Sequence, residues 1–282
     1  MRLVHAADVP PVPFSTHRSG RIENVRLLGG QEGTPDNYEL SLVLIEGEYS
    51  TPRHRHNFDQ VRVMLEGRFG FGRDRVQEEG SVGYFCEGVY YEQGALGPSL
   101  TLLYQGAGAS GSGFMSYRQT DSGKTALERR GRFEKGVFTV TRPEGGRINQ
   151  DAYEAIWEEV NARPIAYPTP RYDMPVIMNP AAFEWVQEAD GLRRKRLGGF
   201  GERGMAVSTL RLDPGATYRA GPGRLIFVIT GTGAVAGERY GTCSAIATDS
   251  DAETVLRAEA PSEFFEMVLP RFDGAAVAAR AA

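Results

Sequence analysis

Short strand-like segments recur at close spacing along this chain and constrain its fold more than any other feature. Between residues 21 and 119 they include YELSLVLIEG, QVRVMLEG, SVGYFCEG and SLTLLYQG, with turn residues after them. From about residue 195 the pattern returns in RLIFVITGTG, CSAIATD and EFFEMVLP. Many short strands joined by glycine-rich turns predict a mainly β fold, built as a sandwich or a barrel.

The two halves of the chain also align with each other. The segment that begins at Gln60 matches the segment that begins at Arg224, and Gly67 then matches Gly231. Such self-similarity indicates duplication of one β unit. The chain has 282 residues, which is long enough for two domains.

The segment between the two β units is predicted to differ from both. Within it, NQDAYEAIWEEVNARP has apolar residues at helical spacing, with Asn149 as the N-cap and Pro164 after the helix. We therefore divide the chain into an N-terminal barrel (1–120), a helical and proline-rich connector (121–190) and a C-terminal barrel (191–282). The connector either separates the barrels or completes one of them.

Charge and composition disfavour several classes of partner. The formal net charge is −4, with acids and bases interspersed, so no basic stripe is present to bind nucleic acid. No run of about 18 apolar residues is present, so we expect no membrane span. The N-terminal residues lack the apolar core of a secretory signal. We therefore expect a cytoplasmic protein with a small-molecule partner.

Two of the four histidines, His54 and His56, stand one residue apart in TPRHRHNFDQVRVMLEG. On a regular strand they would share one face with Gln60, Arg62 and Met64. Imidazoles at this spacing lie roughly 6–7 Å apart, close enough to reach one ion. The pair therefore predicts either a transition-metal site or an ordinary pair of strand histidines.

The spacing around these histidines resembles the first motif of the cupin superfamily. His54, His56 and Gly67 stand where the motif has its two histidines and its glycine, and Gln60 stands where it has a glutamate. The resemblance extends to the skeleton of the second half. It implies a two-domain cupin, or bicupin, with two barrels of the double-stranded β-helix (jelly-roll) type.

A later stretch, GSVGYFCEGVYYEQGA, is similar to the second cupin motif. Gly80 and Gly88 fit the spacing of its glycines. Cys86, Tyr91 and Ala95 stand where the family has Pro, His and Asn.

The resemblance implies one divalent transition metal (Fe, Mn, Ni, Cu or Zn) held by His54, His56, Gln60 and Tyr91. A glutamine offers only a neutral amide oxygen, and a tyrosine binds well only once its proton is lost. We therefore expect weaker metal binding than in an intact cupin site. Arg62, on the same face, could hold a carboxylate or an enolate.

The second half departs further from the motif. Tyr218, Ala220 and Arg224 stand at the positions of the two histidines and the glutamine, and Glu253 lies near the position of the second-motif histidine. No metal is expected there. Arg224 is expected either to pair with Glu253 or to receive an anionic ligand.

Three functions remain open at this point. The resemblance implies a metal-dependent enzyme with its metal in the N-terminal barrel, which acts on a small oxygenated metabolite by dioxygenase (oxidoreductase), isomerase or lyase chemistry, with Tyr91 and Arg62 as catalytic residues. The alternative is a non-catalytic bicupin that binds or senses a small molecule with little or no metal. A purely structural role is the third. Barrel edges are often covered by a partner, so we expect a homodimer.

Overall fold

A computed structural model describes residues 1–13, 19–20, 22–248 and 253–272 of the chain. It divides into two compact units. The N-terminal unit is Pro11–Ile177, and the C-terminal unit is Met1–Pro10 with Met178–Ala282. Among the described residues, no helix combines the length and the apolar character needed to span a bilayer.

Strands make up most of the regular structure. In chain order they are β1 (Arg2–His5), β2 (Val12–Pro13), β3 (Ser19–Gly20), β4 (Glu23–Gly29), β5 (Tyr38–Ile45), β6 (Tyr49–His54), β7 (Asp59–Glu66), β8 (Phe69–Gly72), β9 (Arg75–Gln77), β10 (Val82–Phe85), β11 (Tyr91–Ala95), β12 (Ser99–Gly106), β13 (Arg132–Glu134), β14 (Val137–Thr141), β15 (Arg147–Asp151), β16 (Val176–Met178), β17 (Val186–Ala189), β18 (Leu192–Phe200), β19 (Met205–Leu212), β20 (Thr217–Ala220), β21 (Arg224–Thr230), β22 (Gly233–Val235), β23 (Glu238–Tyr240), β24 (Ser244–Ala247), β25 (Thr254–Ala258) and β26 (Ser262–Val268). The helices are α1 (Tyr117–Glu128) and α2 (Ala152–Asn161), with short 3-10 turns at Ala6–Asp8 and Pro180–Ala182.

The two units repeat one sheet order. In the N-terminal unit a larger sheet runs β16-β10-β7-β12-β5-β4-β2, and a smaller sheet runs β3-β6-β11-β8-β9. In the C-terminal unit the larger sheet runs β1-β24-β21-β26-β19-β18-β17, and the smaller runs β20-β25-β22-β23. Because β7 and β21 occupy the same place in this order, the topology agrees with the alignment of the two sequence halves.

A glycine follows each of the equivalent strands β7 and β21, and both positions require glycine for the same structural reasons. Gly67 has φ +73° and Gly231 has φ +101°, in the left-handed region that favours glycine. A Cβ on Gly67 would lie 2.4 Å from the Pro98 carbonyl oxygen, and one on Gly231 would lie 2.6 Å from that of Pro261. Both turns therefore require glycine for its backbone conformation and for the close approach of the next loop.

The helical segment belongs to the N-terminal unit. Helix α2 begins after Asp151, whose side chain accepts hydrogen bonds from the amides of Tyr153 and Glu154. The N-cap is therefore Asp151, and the prediction of Asn149 as the cap was wrong by two residues. The helix ends at Asn161, and the next residue, Ala162, adopts the left-handed conformation.

Helix α1 was not predicted, because its first residues fall at the end of the stretch up to residue 119, where GFMSYRQ was expected to be a strand. Ser116 and Gln119 form a capping box at its start. Both helices contribute to one apolar cluster of buried side chains, which consists of Phe58, Phe114, Met115, Leu127, Phe138, Tyr153, Ala155, Ile156 and Trp157.

The first strand of the chain lies in the C-terminal unit. Arg2–His5 pairs antiparallel with β24, from Arg2 opposite Ala247 to His5 opposite Ser244. The His5 Nδ1 atom lies 2.9 Å from Ser244 Oγ. Leu3 packs against the apolar core of this unit.

Candidate functional site

The N-terminal unit encloses a cavity of about 110 Å³, which we call the N-terminal cavity. One wall is polar and comes from the end of β6 and the start of β7. The other walls are largely apolar and come from β4, β5, β8 and both helices. Its lining includes Ile22, Asn24, Val43, Ile45, Tyr49, His54, His56, Phe58, Gln60, Arg62, Phe69, Leu103, Phe114, Met115, Tyr117 and Tyr153.

The histidine stretch is not one continuous strand. Strand β6 ends at His54, and β7 begins only at Asp59. The chain between them nevertheless returns His56 to the same cavity, with the two imidazole centroids 5.0 Å apart. The expectation that His54, His56, Gln60 and Arg62 share one surface therefore agrees with the structure, although a regular strand is not the reason.

Hydrogen bonds set the tautomers of both imidazoles. His54 Nδ1 donates to the Pro52 carbonyl oxygen at 2.8 Å, which leaves the lone pair on Nε2. His56 Nδ1 lies 2.8 Å from Gln60 Nε2 and 2.8 Å from Tyr91 Oη. Because the amide nitrogen can only donate, His56 Nδ1 is an acceptor and its proton lies on Nε2.

Tyr91 completes this network from the neighbouring strand. It lies opposite His54 in the register of β11 and β6, and it is buried, whereas Tyr90 is exposed. Its hydroxyl accepts a hydrogen bond from Gln60 Nε2 at 2.7 Å and lies beside His56 Nδ1. Of the two adjacent tyrosines, Tyr91 is the one at the site, as the spacing predicts.

Arg62 is buried without a counter-ion. Only 5% of its surface is exposed, and no described carboxylate lies within ion-pair distance of its guanidinium. Its Nε and Nη2 atoms donate to Gln60 Oε1 at 3.3 and 2.8 Å. Its guanidinium carbon lies 4.2 Å from the centroid of the Phe85 ring. The Nη1 group makes no hydrogen bond to any residue that the structure describes.

The orientation of Gln60 decides how well a metal fits. A guanidinium can only donate, so the Gln60 oxygen must face Arg62 and the amide NH₂ must face His56 and Tyr91. The one atom of Gln60 that could bind a cation is therefore directed away from the histidines, next to a positive charge. In the described part of the chain, no three His, Cys, Asp or Glu side chains are placed to hold a metal ion. This arrangement does not fit a resident divalent cation.

Three site residues were not predicted from the sequence. Phe58 stacks on the His56 ring with centroids 4.5 Å apart, and Tyr153 from α2 meets the same ring edge-on at 4.8 Å. Asn24 lines the cavity from β4, and its Oδ1 atom is buried without a hydrogen-bond partner. Asn24 and Tyr153 are far from the histidine motif in the chain, so no spacing rule connects them to it, whereas strand alternation could have found Phe58, two residues after His56.

Comparison with known proteins reveals similarity of fold. No protein-family profile and no curated protein sequence matches the chain. A candidate dioxygenase from Nostoc punctiforme aligns with 95% of this chain and 82% of its own, at a TM-score of 0.64 and 13% identity. Oxalate decarboxylase from Bacillus subtilis, a protein with Mn(II) centres, aligns with 97% of this chain and 78% of its own, at a TM-score of 0.55 and 12% identity. The chain has a two-barrel cupin fold.

On the other face of β7, the first cupin barrel contains a buried acidic cluster. Asp59 Oδ2 accepts a hydrogen bond from Tyr84 Oη at 2.8 Å, and its Oδ1 accepts one from the Glu87 amide at 2.8 Å. Glu87 in turn pairs with Arg171 at 3.1 Å. Burial raises the pKa of the Asp59 carboxyl to about 7.

The second cupin barrel has an ionic centre. Arg224 Nη1 lies 3.1 Å from Glu266 Oε2, while Glu253 pairs with Arg219. The predicted pairing of Arg224 with Glu253 was therefore wrong. Arg224 pairs instead with Glu266, which is buried on the adjacent strand β26. Leu256, not Glu253, lies opposite Tyr218 in the register.

Proposed function

We propose that the N-terminal cavity binds a small oxygenated metabolite that carries a carboxylate or an enolate, and that Arg62 holds this anion. The observation that carries the proposal is a buried guanidinium with no described carboxylate beside it and with an Nη1 group that no described acceptor satisfies. Burying an unpaired charge is costly, and a bound anion would offset that cost.

The surroundings of Arg62 support an organic ligand with an apolar body. Phe58, Phe69 and Phe114 line the cavity, and their rings would exclude water around the ligand. A charge pair is stronger in such a poorly solvated site than in bulk water. Gln60 holds the guanidinium in place through two hydrogen bonds to its oxygen. This function corresponds to the small-molecule-binding alternative of the sequence analysis.

A second candidate function is proton transfer without a metal, as an isomerase or a lyase requires. It is favoured by the contact of Tyr91 Oη with His56 Nδ1 at 2.8 Å, beside the guanidinium that would hold an enolate. In this reading the Tyr91 hydroxyl passes its proton to His56 Nδ1 as its oxygen takes a proton from a substrate carbon, which leaves an enolate on the substrate. Arg62 stabilises the negative charge that develops on the substrate oxygen.

The experiment is a calorimetric binding screen of small carboxylic acids. The panel contains aliphatic, aromatic, 2-oxo and hydroxy acids, together with oxalate. We expect at least one acid to bind, and Arg62→Gln to weaken it at least tenfold. Arg73→Gln is the control, since the Arg73 side chain is 95% exposed and should not affect binding. No binding by any acid, or equal binding by Arg62→Gln, would overturn the proposal.

Metal content separates this proposal from the metal-dependent enzyme. The ligand set His54, His56, Gln60 and Tyr91 stays a prediction, and the donor arrangement disfavours it. We expect far less than one divalent ion per chain by elemental analysis, including after incubation with Fe(II), Mn, Ni, Cu and Zn. About one ion per chain, lost in a His54→Ala/His56→Ala double variant, would instead support the metal enzyme.

A further inference from the structure

The C-terminal unit contains a second cavity, of about 860 Å³, that none of the preceding functions uses. We call it the C-terminal cavity. Its charged lining consists of four arginines and two glutamates, Arg194, Arg196, Arg219, Arg224, Glu188 and Glu266. The arginines therefore outnumber the carboxylates, which makes the cavity attractive to anions.

Both glutamates of the cavity already pair with arginines of its lining. Glu266 is 1% exposed and accepts hydrogen bonds from Arg194 and from the Tyr218 hydroxyl, besides its pair with Arg224. Glu188 accepts from Arg194 Nε at 2.8 Å and also pairs with Arg196. Together with the Tyr218 hydroxyl, these two carboxylates accept hydrogen bonds from all three nitrogens of the Arg194 guanidinium, but they leave donors on Arg224 without a partner.

Arg224 presents the unused donors. Its Nη1 atom pairs with Glu266, whereas its Nε atom is buried with no hydrogen-bond partner. Its Nη2 atom makes no hydrogen bond to any described residue. A guanidinium N–H such as that on Nη2 binds an oxygen of a carboxylate or a phosphate.

Nη2 is the unpaired donor of Arg224 that a ligand can reach. Arg224 lines the cavity with 26% of its side chain exposed, whereas its Nε atom has no accessible surface. The guanidinium therefore offers an N–H donor at a wall of the cavity.

We propose that the C-terminal cavity binds a small anion with a carboxylate or phosphate group on the Nη2 group of Arg224. Arg196 and Arg219, each with 69% of its side chain exposed, supply further positive charge around it. The ligand is more hydrophilic and more highly charged than that of the N-terminal cavity, because arginines rather than phenylalanines surround it. This site does not depend on the function proposed for the first barrel.

The test is calorimetric titration with inorganic phosphate and with succinate, against sodium chloride of equal ionic strength. The two anions distinguish the phosphate source from the carboxylate source. All titrations use an Arg62→Gln background, so that binding in the first barrel does not contribute. We expect one of the anions to bind, and Arg224→Gln to weaken it at least tenfold.

Two further variants complete the test. Arg224→Lys keeps the positive charge but removes the Nη2 donor, so we expect it also to weaken binding of the anion. Arg211→Gln is the matched control, because Arg211 pairs with Glu263 outside the cavity lining, and we expect unchanged binding. If neither anion binds beyond the chloride control, or if Arg224→Lys and Arg224→Gln bind as the parent does, the proposal is wrong.

Discussion

At the residue scale, Asp59 shows how one position on β7 links stability to pH. Burial raises the pKa of its carboxyl from 3.8 to about 7, so the folded chain holds a proton that the unfolded chain releases. Between about pH 4 and pH 7 the folded state therefore binds more protons than the unfolded state. The free energy of unfolding must then fall as the pH rises through this window.

We predict that Asp59→Asn removes this contribution. The amide keeps an oxygen for the Glu87 N–H and carries no titrating proton, so the slope of unfolding free energy against pH should flatten by up to about 1.4 kcal/mol per pH unit. Urea unfolding between pH 4.5 and 8 measures the slope. Asp74→Asn is the control, since Asp74 is 92% exposed. An unchanged slope in Asp59→Asn would show that another group carries the pH dependence.

The residues of the candidate site differ in how far the sequence could predict them. The resemblance was enough to expect His56, Gln60, Arg62 and Tyr91 close together, with His54 beside them, although a regular strand is not what brings the two histidines to one surface. The orientation of the Gln60 amide could not be predicted. It depends on a guanidinium that can only donate, and that constraint exists only once the side chains are placed.

At the element scale, two glycines in different turns offer a matched pair of substitutions: Gly67 follows β7, and Gly33 lies between β4 and β5. Gly67 and Gly33 have similar backbone conformations, with φ +73° and +79°. A Cβ at Gly33 would meet nothing within 4 Å, whereas one at Gly67 would lie 2.4 Å from the Pro98 carbonyl oxygen. The two positions therefore separate the cost of the backbone conformation from the cost of the clash.

We predict that Gly67→Ala destabilises the protein more than Gly33→Ala does. The strained φ should cost about 1 kcal/mol at both positions. The clash should raise the total at Gly67 to about 3 kcal/mol or more, since the Pro98–Ser99 backbone would have to move. Denaturant unfolding of the two variants measures the difference. Equal losses would mean that the loop moves aside easily.

The helices mark the limit of sequence-based prediction in this chain. Helix α2 was predicted from its apolar spacing, because that pattern is local. Helix α1 was missed, although Ser116 and Gln119 form a capping box, because the preceding GFM run and Tyr117 suggested a strand. The contribution of both helices to the N-terminal cavity is a tertiary property that no local pattern reveals.

At the scale of the whole molecule, the duplicated sheet order was the most predictable feature. The repeat of strands and the match of Gly67 with Gly231 were enough to expect two similar barrels, and the sheet orders agree. The place of β1 was not predicted: Arg2–His5 was assigned to the first barrel and lies in the sheet of the second unit. Pairing at such sequence separation leaves no local signal. The homodimer and the cytoplasmic location stay predictions.

We predict that deletion of residues 1–10 destabilises the C-terminal unit selectively. The deletion removes the pairing of β1 with β24 and the packing of Leu3, worth about 1–3 kcal/mol together. Hydrogen exchange of the β24 amides should accelerate at least tenfold, whereas exchange in β7 should not change. Leu3→Ala serves as a milder control that keeps the pairing. Equal exchange in β24 and β7 after the deletion would contradict the selectivity.

The pairing of His5 with Ser244 also sets an order of events during synthesis. These residues are 239 positions apart, and a ribosome adds about 5–20 residues per second. The first strand therefore leaves the ribosome many seconds before its partner exists. The N-terminal barrel, which needs residues no later than Ile177, can close in that interval. The opening segment must stay unpaired until the last strands of the chain emerge, so β1 is among the last to join its sheet.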